Sequence, residues 1–244
     1  MIAIQTTNLT KRYKDKTVVD SLNLSIEQGE LFALLGVNGA GKTTTIKMLT
    51  CLNSPTSGDA TLFGDNIVSN PLAVKEKINV SPQETAVARN LSVKENLALI
   101  AQIHGFDKKA VNHKVEEMLT TFGLTEVSKA KAKTLSGGMQ RRLSIAMALI
   151  SNPQILFLDE PTLGLDVLAR RELWAAIEKL KGSMTIILTT HYMEEAEALS
   201  DRIGVMVKGR LKAVGTAAEL MAKTSTKTLE DAFVLLATEE EGER

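Results

Sequence analysis

Apolar positions along the chain switch between two periods. Near the start, Ile2-Ala3-Ile4 and the alternating Leu22, Leu24 and Ile26 predict strands, and Gln28-Gly29-Glu30 reads as a turn. Leu31–Leu35 is a continuous apolar run broken by Gly and Asn, after which Ile46, Leu49 and Thr50 recur at helical spacing. The order is therefore strand, glycine loop, helix. Pro55 to Gly58 reads as a turn and Ala60 to Phe63 as a short strand. From about Glu84 to Ile150 the period is helical. Asp107 is a candidate N-cap, Val111, Val115, Met118, Leu119 and Phe122 mark one apolar face, and Leu143, Ala146, Met147 and Ile150 mark another. Strand and helix then alternate: Ile155–Leu158, a helix near Ala169–Leu180, Thr185–Leu188, a helix near Met193–Leu199, and Ile203–Val207. This alternation predicts an α/β fold, a mostly parallel sheet with flanking helices, carrying a helical insertion over about 84–150. The Glu-rich end, Glu239 to Arg244, reads as a frayed tail.

Composition narrows the function classes. The 244 residues allow one large domain or two small ones. Lys+Arg 29 balances Asp+Glu 29, so no global basic field gathers polyanions. Any phosphate site must be local, and no nucleic-acid partner is expected. The single cysteine, Cys51, excludes an internal disulfide or a Cys-rich metal cluster, and His104, His113 and His191 are scattered. The longest stretch without a charge, Leu143 to Leu158, contains Asn152, Pro153 and Gln154 and falls short of an apolar membrane span. No leader pattern opens the chain. The expectation is a reduced, cytoplasmic, soluble protein whose membrane role, if it has one, comes from a partner.

Two motifs carry chemistry. Gly36-Val37-Asn38-Gly39-Ala40-Gly41-Lys42-Thr43 fits G-x-x-x-x-G-K-[ST] and lies between an apolar strand and a helix. Its backbone N–H groups would cradle phosphate oxygens at a helix N-terminus. Lys42 would reach the β/γ-phosphates, and Thr43 would hold Mg²⁺. Lys42 is expected in a solvated loop, its charge serving phosphate and not packing. Thr44 extends the nucleotide-binding set. Ile155-Leu156-Phe157-Leu158-Asp159-Glu160 is an apolar strand ending in two carboxylates. Such a strand sits inside a parallel sheet, and ligands gather at strand C-termini. Asp159 is the candidate metal ligand, and Glu160 is the candidate for polarising an attacking water. No Asn-Lys-x-Asp guanine reader occurs, which disfavours GTP.

Leu135-Ser136-Gly137-Gly138-Met139 resembles the signature sequence of ABC ATPases, with Met139 where Gln is usual. Ser136 can N-cap the following helix, and Gly137 and Gly138 leave its first-turn N–H groups bare, a second anion site. The resemblance implies a P-loop NTPase core with an antiparallel β layer and the helical insertion, forming an L-shaped monomer. It implies that two such domains pair head to tail, each signature closing on ATP held by the other. Further positions follow from the same resemblance. Tyr13 looks like the aromatic that stacks on adenine. Gln83 looks like the residue that reports Mg²⁺ and the γ-phosphate. Gly164-Leu165-Asp166 looks like the segment crossing the dimer interface, and His191 like the γ-phosphate histidine.

The resemblance covers about residues 1–220, with 221–244 as a short C-terminal extension. Lys42 and Ser136 lie too close in the chain for a long coiled-coil arm, and one set of motifs is present. This implies the ATPase subunit of a transporter whose integral membrane permease subunits are separate chains, placed at the cytoplasmic face of the membrane. Thr228 to Phe233 resembles the tail of the exporter branch that includes bacterial drug and sodium exporters. Two other readings stay open: a soluble ABC ATPase acting as an assembly or regulatory partner, and a P-loop module without turnover. Both carboxylates and His191 argue against the second.

Overall fold

The structure, a computed structural model, describes residues 1–238. It opens with two long antiparallel strands, β1 (Ile2–Tyr13) and β2 (Lys16–Glu27). The apolar strand β3 (Leu31–Leu35) feeds the glycine loop and α1 (Lys42–Leu49). Next come β4 (Ser57–Leu62), β5 (Asp65–Asn66), α2 (Pro71–Lys77) and β6 (Ile78–Ser81). Three helices follow, α3 (Val93–Ile103), α4 (Lys108–Thr121) and α5 (Gly137–Leu149). The chain then alternates through β7 (Ile155–Asp159), α6 (Val167–Glu178), β8 (Thr185–Thr190), α7 (Met193–Leu199) and β9 (Arg202–Val207). It finishes with β10 (Arg210–Gly215), α8 (Ala217–Thr224) and α9 (Leu229–Thr238). The Glu239–Arg244 tail lies outside the described residues.

Among the described residues the strands form a four-stranded antiparallel sheet, β2-β1-β4-β5, and a six-stranded sheet, β10-β9-β3-β8-β7-β6. In the larger sheet β9, β3, β8, β7 and β6 are parallel, and β10 pairs antiparallel with β9. Side chains alternate faces along a strand. Leu31, Ala33 and Leu35 thus join one core with Leu156, Leu158, Ile186 and Leu188, under the helices. Phe32 and Leu34 join a second core with Ile155, Phe157, Ile46 and the antiparallel sheet. A strand covered on both faces must be apolar at every position, which is why β3, β7 and β8 read as unbroken runs.

The helical region begins later than the expected 84. Residues 84–92 are not helical, and α3 starts at Val93 behind a capping box of Ser92 and Glu95. The buried Asn96 pins that loop: its Oδ1 accepts from the Ala88 N–H (2.7 Å), and its Nδ2 donates to the Ala88 and Ser92 carbonyls. Asp107 caps α4 through the Ala110 N–H (2.8 Å), and the apolar faces of α4 and α5 are buried. α9 turns Leu229, Ala232, Phe233 and Leu236 into the helical-side core.

Candidate functional site

The glycine loop leaves the C-terminal end of β3 and turns directly into α1. Gly41 is the N-cap residue, with φ +108° and no side chain capping the helix. Only glycine takes that conformation without strain, and the first-turn N–H groups stay open to an anion. The loop is tied to its surroundings by the Gly36 N–H to the Thr190 carbonyl (3.2 Å) and the Gly209 N–H to the Ala40 carbonyl (2.9 Å). Beside it lies a cleft of about 300 Å³ lined by Asn38 through Thr44, Gln83 and Glu160, together with Val18 and Leu163.

Lys42 departs from the expectation of a solvated loop. It is the first residue of α1 and only 5% exposed. Its ammonium donates to the carbonyls of Gly36 (2.7 Å) and Val37 (3.3 Å) and lies 3.3 Å from Glu160 Oε1. The reason is local: the loop curls back over the helix start, so its carbonyls meet the end of the Lys42 stem. Gly36 and Val37 thus hold Lys42.

The carboxylates occupy the end of β7. Asp159 Oδ1 accepts from Thr43 Oγ1 (3.1 Å) and Thr189 Oγ1 (2.5 Å). Glu160 is 8% exposed and sits at φ +49°, a left-handed conformation that is uncommon outside glycine. Its N–H donates to the Thr189 carbonyl and hydroxyl. Its Oε2 lies 2.7 Å from His191 Nδ1, at the end of β8. A carboxylate acceptor there puts the imidazole proton on Nδ1 and leaves Nε2 as the nitrogen for a second partner. Lys42, Glu160 and His191 therefore form one bonded chain, with Thr43 and Asp159 a second pair beside it.

The structure does not bring every candidate into this cleft. Tyr13 is 45% exposed at the end of β1, its hydroxyl accepting from Asn53 Nδ2 (2.8 Å), with the Lys11 ammonium 5.1 Å from the ring centre. It is a surface aromatic and not a core one. Ser136 N-caps α5 through the Met139 N–H (3.3 Å), as the sequence suggested. Gly137 is open, but Gly138 is buried: a Cβ there would meet Ala169 Cβ of α6 at 2.9 Å. Its glycine thus serves close helix packing as well as leaving a bare first turn. None of these four residues lines the phosphate-loop cleft. Asp166 caps α6 through the Leu168 and Ala169 N–H groups, both 2.9 Å.

Sequence reasoning missed two buried ionisable side chains. Arg141, 4% exposed on α5, donates to the Pro161 (2.8 Å), Asp159 (2.7 Å), Gln83 (3.3 Å) and Pro82 carbonyls. Burial pulls its pKa down to about 10, against the nearby charges of Asp159 and Glu195, which favour the cation. Glu195 on α7 is fully buried and accepts from Thr162 Oγ1 (2.8 Å) and Trp174 Nε1 (3.1 Å). Burial pushes its carboxyl above the usual range. Each lies next to another charged residue, Arg142 and Glu194, and that pairing reads as ordinary surface.

The hydroxyl of Thr43 and the carboxylate of Asp159 are hard oxygen donors suited to Mg²⁺. Among the described residues no group of three or more His, Cys, Asp or Glu could hold a metal. Mg²⁺ beside a phosphate chain needs only one or two carboxylates.

Comparison with known proteins agrees with this geometry. The family described as ABC transporter matches residues 19–163, more than half of the chain. The daunorubicin/doxorubicin resistance ATP-binding protein DrrA of Streptomyces peucetius is 40% identical over 228 residues, 93% of this chain and 69% of that protein. ABC transporter A family member 11 of Arabidopsis thaliana is 43% identical over 244 residues, but the chain spans only 25% of its length. Among solved structures, a dimeric ATP-binding cassette in a post-hydrolysis state with ADP and Pi superposes with a TM-score of 0.79 at 25% identity, covering 87% of this chain and 98% of that one. Motif order, P-loop NTPase fold and sequence similarity agree: the chain belongs to the ABC transporter family, as its ATP-binding ATPase domain.

Proposed function

We propose that this chain is the ATP-hydrolysing motor subunit of an ABC transporter, working as a head-to-tail pair that drives separate permease subunits at the cytoplasmic face of a membrane, in the export direction. The observation that carries the chemistry is Glu160, held left-handed at the end of a buried strand between Lys42 and His191. Phosphate oxygens entering the loop would compete for the Lys42 ammonium and release Glu160 from it. Glu160 would then take a proton from the attacking water, and His191 would hold the carboxylate in place and offer Nε2 to the transferred group. Thr43 and Asp159, with Gln83 lining the same cleft as Thr43, would hold Mg²⁺, which would neutralise charge building on the phosphates. Tyr13 would stack on the base from the outer edge. Ser136, Gly137 and Gly138 would close on the nucleotide of the partner subunit.

Coupling to a membrane partner is supported by a second depression next to Gln83. It measures about 180 Å³, and Pro82, Ala86, Ile100, His104 and Met147 are among its lining residues. It sits where the loop after β6 meets α3 and α5. No helix of the described residues is long and apolar enough to cross a membrane. The resistance function named for the Streptomyces relative supports export.

The test has two arms. Lys42→Ala should abolish turnover of Mg-ATP while the protein stays folded; turnover at the parental rate would sink the site. Purification of the tagged chain from detergent-solubilised membranes should bring down a polytopic membrane protein. Recovery of the chain with soluble partners alone would favour the assembly-factor reading.

A further inference from the structure

We infer that Arg141 is the positioning residue for hydrolysis: its buried guanidinium holds Glu160 and the Gln83 loop in register with the signature helix. The inference rests on the reading of Glu160 as the group that activates water. Arg141 lies on α5, roughly one and a half turns after Ser136. Among the described residues no carboxylate accepts from it. Its partners among the described residues are backbone carbonyls, drawn from the loop after β6, the end of β7 and the turn that follows. A guanidinium is planar and its donors have fixed directions, so one plane sets the relative placement of these segments.

Two of those carbonyls, Asp159 and Pro161, flank Glu160 in the chain. Glu160 is the residue at φ +49°. A non-glycine residue stays in that region only where its surroundings over-determine it. Arg141 supplies that constraint from α5. From the other side, the Thr162 hydroxyl donates to the fully buried Glu195 of α7. The segment from Asp159 to Thr162 is thus fastened to the helix after the signature and to the helix after His191. The same guanidinium reaches the carbonyls of Pro82 and Gln83, and Gln83 lines the cleft together with Glu160.

A buried cation is costly to keep unless its donors are matched. Packing alone would be served as well by an apolar side chain. What an apolar side chain cannot do is hold three segments at fixed offsets. Movement of α5, as when a second subunit meets the signature, would therefore reach Glu160 and Gln83 through Arg141.

The experiment compares the full-length parent with Arg141→Met, Arg141→Lys and Glu160→Gln. Each is titrated with Mg-ADP by calorimetry and assayed for Mg-ATP turnover well below its own melting temperature. Arg141→Met should bind Mg-ADP with unchanged stoichiometry and within about threefold of parental affinity. Its kcat should fall about tenfold to a hundredfold, the scale expected when a reacting group is displaced by about 1 Å. Arg141→Lys keeps the charge but loses the fork, and its kcat should lie in between. If Arg141→Met does not fold, Arg141→Lys decides: a severalfold lower kcat at full binding stoichiometry supports the inference. Parental kcat in the folded Arg141 variants overturns it, as does a kcat that falls only in step with the fraction of protein that binds. Parental turnover in Glu160→Gln overturns the reading of Glu160, and the inference with it.

Discussion

The phosphate-loop half of the nucleotide machinery and the signature half are built differently. In the first, Lys42 of α1 and His191 after β8 both bond to Glu160 after β7, and Lys42 and Glu160 line a cleft. In the second, the Ser136 hydroxyl is taken up by the Met139 N–H, Gly138 is pressed against Ala169, and Gly137 lies exposed. The first half holds its candidate catalytic groups in place by mutual contacts within one chain. The second presents a helix N-terminus whose Gly137 is open, a geometry able to receive an anion from outside.

The largest effect expected is at the centre of the first half. Glu160→Gln keeps the shape of the side chain but not its charge. Its amide can accept from only one of Lys42 and His191, because the other position becomes an NH₂. Loss of a positioned general base costs about 10²–10⁴-fold in rate. Nucleotide binding should survive through the loop N–H groups, Lys42 and Thr43. The ATP-closed pair should then accumulate, so size-exclusion chromatography in Mg-ATP should show a dimer for Glu160→Gln and mainly a monomer for the parent. Normal hydrolysis in Glu160→Gln would break the account of the first half.

Ser136→Arg tests the second half. The variant should bind one ATP per chain nearly normally yet fail to turn it over, because bulk at the α5 N-terminus blocks closure and not binding. Mixing it with Lys42→Ala sharpens the contrast. In a head-to-tail heterodimer both defects fall on one composite site, and the other site is intact. Partial recovery of activity on mixing supports sites shared between subunits. An Arg at 136 that abolishes nucleotide binding outright would place the signature and the phosphate loop in one site of a single chain.

What the sequence revealed follows the same division between local and non-local causes. The glycine octet, the carboxylate strand and the N-cap at Ser136 each depend on contiguous residues, and each occurs where the pattern placed it. The covered strands were legible because burial on both faces leaves no polar position. β6 was not: it is a four-residue edge strand that includes Asn79 and Ser81, recognisable only through its pairing with β7. β10 was hidden by Arg210 and Lys212. The burial of Lys42 arises from how the loop folds back on itself, which spacing does not encode. Arg141 and Arg142 are chemically identical neighbours, yet one is buried against four carbonyls and the other pairs with Glu172 on α6 at 3.2 Å. The missed signal was helical: Gly138, Arg141, Ser144 and Ala148 share one buried face of α5.

Tyr13 does not line the cleft, and a smaller effect is expected there. The ring is exposed, and its hydroxyl is anchored to Asn53. Tyr13→Ala should weaken nucleotide binding by about 1–3 kcal/mol if a base stacks on the ring. The rate at saturating Mg-ATP should stay close to parental, since Tyr13 does not line the cleft that holds Lys42 and Glu160. Calorimetry with ATP and with pyrophosphate separates the causes. Loss for ATP alone assigns the ring to the base, whereas equal loss for both points to a disturbed phosphate loop.

The smallest effect concerns Glu195, which fastens the turn after Glu160 to α7. Burial raises its carboxyl pKa. The hydroxyls of Thr190 and Thr162 and the Trp174 N–H oppose that rise, and the charge of Glu160 adds to it. The folded protein therefore keeps a proton on Glu195 over a range where the unfolded chain has lost it. In that range the folded state binds more protons, so stability falls as pH rises from about 4.3, the ordinary glutamate value, through the folded-state pKa. Glu195→Gln removes this dependence. Its carbonyl oxygen can still accept from Thr162 and Trp174, while its NH₂ takes the place of Oε2, which has no hydrogen-bond partner. That mismatch is a fixed offset, the same at every pH, so the slope carries the test. Melting temperatures of parent and variant should be measured from pH 5 to pH 8. The variant should gain on the parent as pH rises, by about 2–4 °C for each kcal/mol the parent loses. A gap that stays constant, or moves the other way, would mean that Glu195 is held as the charged form, and that the turn after Glu160 is fastened by an ion and not by a neutral acid.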